Sequence, residues 1–185
     1  KCIDCASGRY QDGPAAATCK ACAAGTYLPL TAADDATDCI NCPQGRYAAT
    51  SANADGLDCI ECAAGKYINV TGSDSPTDCI DCPGGKYLDT PGNDELADCI
   101  DCIPGKYVEV TGSDEETDCI QCALGRYSEV VGSSSVSTCL NCSAGYYIHV
   151  TGSDQQEDCI ACALGKYSTI EGSATEADCL SCGLG

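Results

Sequence analysis

Residues 66–70, Lys-Tyr-Ile-Asn-Val, alternate apolar and polar positions like a short half-buried strand. Ile68 and Val70 fall on one face and Asn69 on the other. The following Thr-Gly-Ser-Asp at 71–74 reads as a turn in which Gly72 takes positive φ. Thr-Asp-Cys-Ile at 77–80 then resumes an extended path. Helical periodicity is not sustained over even about ten residues. Each such stretch is a hairpin-like loop, too small to be stable alone.

The pattern recurs along the whole chain. Cys-x-x-Cys pairs begin at Cys2, Cys19, Cys39, Cys59, Cys79, Cys99, Cys119, Cys139, Cys159 and Cys179, the first step being 17 residues and every later one 20. Three positions after each second cysteine stands a glycine, from Gly8 to Gly185, and two further on a tyrosine, from Tyr10 to Tyr167. Seven of the nine basic residues lie between that glycine and tyrosine: Arg9, Arg46, Lys66, Lys86, Lys106, Arg126 and Lys166. This predicts one continuous array over 1–185 of about nine repeats, a piece of a longer chain. The short first unit is 1–18; regular units are 19–38, 39–58, 59–78, 79–98, 99–118, 119–138, 139–158 and 159–178; 179–185 is partial.

A second period lies inside the first. Alternate units follow their tyrosine with aliphatic-x-aliphatic-Thr: Leu28/Leu30, Ile68/Val70, Val108/Val110 and Ile148/Val150. The intervening units read Ala-Ala-Thr-Ser, Leu-Asp-Thr-Pro, Ser-Glu-Val-Val and Ser-Thr-Ile-Glu, and Thr-Gly-Ser-Asp recurs only at 71, 111 and 151. The super-period is therefore 40 residues. It predicts different surroundings for odd and even units, with all eight aliphatics lining one side for lateral packing on another strand of an assembly.

Composition explains what must replace a core. The chain holds 20 cysteines in 185 residues, no Phe, Trp or Met, and an apolar fraction made largely of Ala and Cys. That is the signature of a disulfide scaffold. A net charge of −19 argues against nucleic acid and anionic membranes as partners, and no apolar run reaches the ~20 residues of a membrane span. No initiator Met or signal peptide is present in the sequence.

One pairing rule must serve every unit. A bridge within Cys-x-x-Cys is the redox-active habit. Adjacent pairs can otherwise join by their inner cysteines (Cys42 to Cys59) or their outer ones (Cys39 to Cys62). The inner rule is preferred: it encloses the glycine, tyrosine and turn, is worth ~3 kcal/mol per loop in the chain-entropy model, and leaves Cys2 and Cys182 over. Zinc is the competing chemistry, since the cysteine spacing falls in its window. However, the residues around the cysteines do not alternate at the 40-residue step that shared sites would need.

"CPQGRY" at 42–47 followed by Cys59 resembles the first loop of tumour necrosis factor receptor cysteine-rich modules. The complete C-x-x-C-x-x-G-x-Y pattern resembles the ephrin-receptor-like cysteine-rich repeats of large protist and algal surface proteins. The resemblance covers the whole chain and implies disulfides Cys5–Cys19, Cys22–Cys39, Cys42–Cys59, Cys62–Cys79, Cys82–Cys99, Cys102–Cys119, Cys122–Cys139, Cys142–Cys159 and Cys162–Cys179. Cys2 and Cys182 would pair outside the fragment. The further cysteines that build ligand-binding loops in the receptor modules are absent.

The expected fold is thus a small disulfide-rich β-hairpin repeat, elongated as a linear rod with little core. No catalytic residue, metal site or cofactor is indicated. Acid-rich turns such as 111–119 lack any calcium-loop spacing, so calcium is a minor alternative to a solvated acidic face. His149 has no partner that would make a catalytic constellation, and enzyme activity is not expected. The tyrosines are expected to pack on neighbouring disulfides and the Lys/Arg beside them to pair with an Asp near a cysteine. Asn69 is a credible N-glycosylation sequon, whereas Asn141 is crowded by its cysteine. Units of constant length favour a structural subunit of an extracellular, self-associating homo-oligomeric filament, such as a protist flagellar mastigoneme. The alternative is the stalk or ligand-binding ectodomain of a cell-surface receptor or adhesin.

Overall fold

A computed structural model of the chain describes residues 4–13 and 18–183. Cys2 and Gly185 lie outside the described residues. The described residues form two compact bodies, one up to residue 81 with 89–98 and the other 82–88 with 99–183. The same small architecture recurs inside each.

Each repeat contributes a two-residue strand that pairs antiparallel with the start of the next repeat. Lys66–Tyr67 pairs with Ile80–Asp81, Lys66 opposite Asp81 and Tyr67 opposite Ile80. In the second body Lys106–Tyr107 pairs with Ile120–Gln121 in the same register. The strand is shorter than the alternation at 66–70 predicts, and the reason is where the next backbone groups bond. The Ile68 N–H donates to the Asn93 carbonyl (3.2 Å), and the Ile68 carbonyl accepts from the Gly45 N–H (2.9 Å). Both partners belong to neighbouring repeats, so the chain leaves its hairpin after Tyr67.

Before each first cysteine from Cys39 to Cys179 the segment predicted to be extended instead forms a 3₁₀ turn, as at Pro76–Asp78. The Asp78 carboxylate accepts from the N–H groups of Asp74 and Ser75, each at 3.2 Å. Asp58 does the same for Ala54 (2.8 Å) and Asp55 (3.0 Å). The recurrent aspartate is therefore a turn cap that satisfies otherwise orphaned donors. In the unit that lacks it, Thr138 donates to the Ser135 carbonyl (2.9 Å) and Ser135 caps the turn.

Repeats are joined by a recurring set of backbone hydrogen bonds. The Gly25 N–H donates to the Ala48 carbonyl (2.8 Å), the Leu28 N–H to Asn53 (3.0 Å), and the Gly72 N–H back to Cys42 (2.9 Å). In the second body Gly105 donates to Ser128 (2.7 Å), Val108 to Ser133 (3.0 Å) and Gly152 to Cys122 (2.9 Å). Repeats of like parity also touch. A Cβ added to Gly25, at φ +80°, would stand 2.1 Å from the Gly72 carbonyl oxygen, and one on Gly45 equally close to that of Gly92. The partners lie 47 residues apart, which is the next repeat but one. Odd repeats thus stack on odd and even on even, a physical counterpart of the 40-residue super-period.

Where a globule has one core, this chain has a series of small clusters. Tyr47 packs on Cys62, Ile68 and Cys79 of the next repeat. Tyr27 packs likewise on Cys42, Ala48 and Cys59, and Tyr87 on Cys102, Val108 and Cys119. Each of these three tyrosines packs on the following disulfide and on the residue that follows the next tyrosine. This is what makes successive hairpins interdependent.

Candidate functional site

The described chain has nine disulfides: Cys5–Cys19, Cys22–Cys39, Cys42–Cys59, Cys62–Cys79, Cys82–Cys99, Cys102–Cys119, Cys122–Cys139, Cys142–Cys159 and Cys162–Cys179. Their Cα atoms are 5.6–5.9 Å apart, in the ordinary range. Eight of the nine span 17 residues, since the first repeat is shorter. Cys182 is exposed and has no disulfide partner among the described residues. Among the described residues no cluster of His, Cys, Asp and Glu could hold a metal ion.

The eight aliphatics do not form the single outward stripe that their alternation suggests. Leu28, Ile68, Val108 and Ile148 are buried to 1% exposure or less, inside the tyrosine–disulfide clusters. Only Leu30, Val70, Val110 and Val150 face outward, at 52–64%. The correction follows from the early end of the strand: once the chain leaves its hairpin after the tyrosine, the alternation of strand faces no longer governs where residues two apart point. The same interior position in the other repeats is held by Ala48, Leu88, Ser128 and Ser168. The super-period therefore records core volume as well as surface.

The outward members gain company that the sequence pattern did not reveal. Val70 and Ile80 share an open recess of about 450 Å³ with Asp74 and Asp78. Val150 and Ile160 share one of about 570 Å³ with Asp154, Glu157 and Asp158. The residue after the first cysteine is Ile or Leu from Ile40 to Leu180, and in every repeat it is 40–54% exposed. Each body therefore carries exposed apolar residues rimmed by carboxylates.

The bases beside the tyrosines pair across their hairpins. Arg46 meets Glu61 at 2.5 Å, Lys66 meets Asp81 at 2.6 Å and Lys86 meets Asp101 at 2.8 Å. The acid is the one between the paired cysteines, directly opposite in register; the aspartate before them is occupied as a turn cap. Where the opposite residue is Gln121 or Ser181, the lysine turns to the 3₁₀ turn instead: Lys106 to Glu116 (3.2 Å) and Lys166 to Glu176 (3.1 Å). The Asp35 carboxyl is held below the ordinary aspartate range, first by the Thr37 backbone N–H and then by its hydroxyl. Lys20 is raised by its hydrogen bond and ion pair with Asp12.

Asn69 is exposed, next to exposed Val70 and Thr71. Asn141 lies in a strand opposite Arg126, its side chain against Gly172, and is followed by the buried, disulfide-bonded Cys142. Among the described residues no helix is long and apolar enough to cross a membrane.

These features define a class: tandem disulfide-stapled hairpin repeats whose units are joined by backbone hydrogen bonds and tyrosine packing. The family model described as "Tyrosine-protein kinase ephrin type A/B receptor-like" matches residues 1–39, 31–79, 90–139 and 136–179. The chain belongs to that family of cysteine-rich repeats. No curated protein matches it. Family and disulfide density together fit an extracellular region.

Proposed function

We propose that this chain is a structural subunit of an extracellular filament or surface fibril, of which a protist flagellar mastigoneme is an example. In this reading each repeat adds one increment of length to a disulfide-stapled array, and copies associate laterally. The observation that carries it is the sameness of the joints. The bonds that link Gly25 to Ala48 and Leu28 to Asn53 recur at Gly105 to Ser128 and Val108 to Ser133. Units that repeat one joint add length in equal increments, the requirement of a lattice.

Lateral contact is supported by the exposed Leu30, Val70, Val110 and Val150 and by the Ile/Leu after each first cysteine. Copies that each carry a net charge of −19 repel, so association should strengthen as salt screens the carboxylates. The reading also takes Asn69 as the glycosylated sequon and Asn141 as unmodified, which intact mass and glycosidase treatment of the secreted protein test directly. For the filament itself, the oxidised chain should sediment as larger species with rising salt, and electron microscopy should show fibres with an axial repeat set by one or two units. A monomer at every salt concentration would overturn the reading.

A further inference from the structure

Repeat 139–158 departs from its neighbours at one point that creates a cavity. Forty residues earlier in the array, a narrow slot of about 70 Å³ is lined by Tyr87, Ile103, Lys106 and Glu116. Lys106 fills it, its side chain only 19% exposed and its ammonium 3.2 Å from Glu116. At the equivalent positions of the later repeat stand Tyr127, Ser143, Tyr146 and Gln156, and the slot opens to about 470 Å³. A shorter residue replaces Ile103 and a phenol replaces the ammonium. A carboxylate is nevertheless retained, one position along, as Glu157. Glu157 has no ion-pair partner among the described residues. Lys166, the nearest Lys or Arg in sequence, pairs with Glu176, and Arg126 is in register with Asn141; neither lines the recess.

The geometry points to a binding site for a foreign organic cation in this recess, an alkylammonium or guanidinium group such as the end of a lysine or arginine side chain. The cation takes the place that Lys106 fills in its own repeat. Three features of the recess select it. The phenol rings of Tyr127 and Tyr146 line the recess and carry the π-density that attracts a cation, Glu157 supplies the countercharge, and Gln156 and Ser143 supply acceptors for N–H donors. The surrounding charge of −19 attracts cations and repels anions. Tyr146, 42% exposed, leaves the site open from solvent.

The test is titration of the oxidised chain, with ¹³C-labelled tyrosine, by ethylammonium or ethylguanidinium chloride against equal sodium chloride and against methyl β-glucoside. Saturable shifts of the Tyr127 and Tyr146 resonances with the organic cations alone are expected. Tyr146→Lys restores the internal ammonium found at Lys106 and should weaken binding roughly tenfold or more, because the tethered amine competes at high effective concentration. Unchanged resonances of the other tyrosines would report that this variant folds. Shifts no larger than those with sodium chloride would overturn the assignment, as would saturation by the neutral sugar alone or full binding by Tyr146→Lys. None of these outcomes depends on filament formation.

Discussion

Ile68 and Val70 are two residues apart and similar in chemistry, yet their truncation should have very unequal consequences. Ile68 is 1% exposed, between Tyr47 and the Cys62–Cys79 disulfide, and Val70 is 55% exposed. Ile68→Ala removes buried methyl and methylene groups from a cluster with few other large side chains, at a cost of about 2–4 kcal/mol. Val70→Ala removes groups already in water and should change stability by no more than about 0.5 kcal/mol. Because a repeat array loses stability locally, a single melting temperature would blur the contrast. Native-state hydrogen exchange does not. The Gly45 N–H bonds the Ile68 carbonyl and the Ile68 N–H bonds Asn93. In Ile68→Ala the amides of Gly45 and position 68 should exchange roughly 30- to 800-fold faster, the equivalent of that free energy. In the distant repeat 139–158 the Cys142 N–H, bonded to Gly125, should be unaffected. Equal acceleration by the two variants, or none by Ile68→Ala, would refute the placement of the core.

The stacking of like-parity repeats predicts that Gly25→Ala costs more than the ~1–2 kcal/mol of a left-handed backbone, because its new Cβ also meets the Gly72 carbonyl at 2.1 Å. Gly145→Ala, at φ +86° with nothing within 4 Å, should cost only the backbone part, and exchange of the neighbouring amides separates the two. Lys66→Ala breaks the ion pair with Asp81. Both groups are well exposed, so it should destabilise by only about 0.2–1 kcal/mol, less in high salt, as a double-mutant cycle would show. Asp35 should titrate by NMR below the ordinary aspartate range. Its capping of Thr37 therefore contributes fully above the unfolded-state pKa and is lost as pH falls through the lower folded value. An Asp35 midpoint at or above the ordinary range would contradict the cap.

Much of the repeat architecture was legible because cysteine, glycine and tyrosine each carry one local demand. The 20-residue step, the hairpin-and-turn character of each unit and the family of cysteine-rich repeats all followed from the spacing of those three residues. An aspartate precedes the first cysteine in seven repeats, from Asp38 to Asp178, a pattern that does not by itself announce a turn cap. Its role depends on the backbone curling back so that the N–H groups three and four residues earlier reach it. The cation slot also had a signal, the substitution of Tyr146 for a base. That signal acquired meaning only when Tyr127, from the preceding repeat, was brought beside it.

What the chain's order of residues determined by itself was local and periodic: where each unit starts and which positions demand glycine or a cross-link. What only tertiary structure decided was the company each residue keeps. The backbone N–H groups that follow Tyr27, Tyr47, Tyr67, Tyr87, Tyr107, Tyr127 and Tyr147 bond to neighbouring repeats rather than to their own hairpin. That single departure sends Ile68 inward and Val70 outward and lets repeats stack two apart. Contacts between residues 20 to 47 apart carry no signature in a local window, because any strand-like alternation satisfies it equally well.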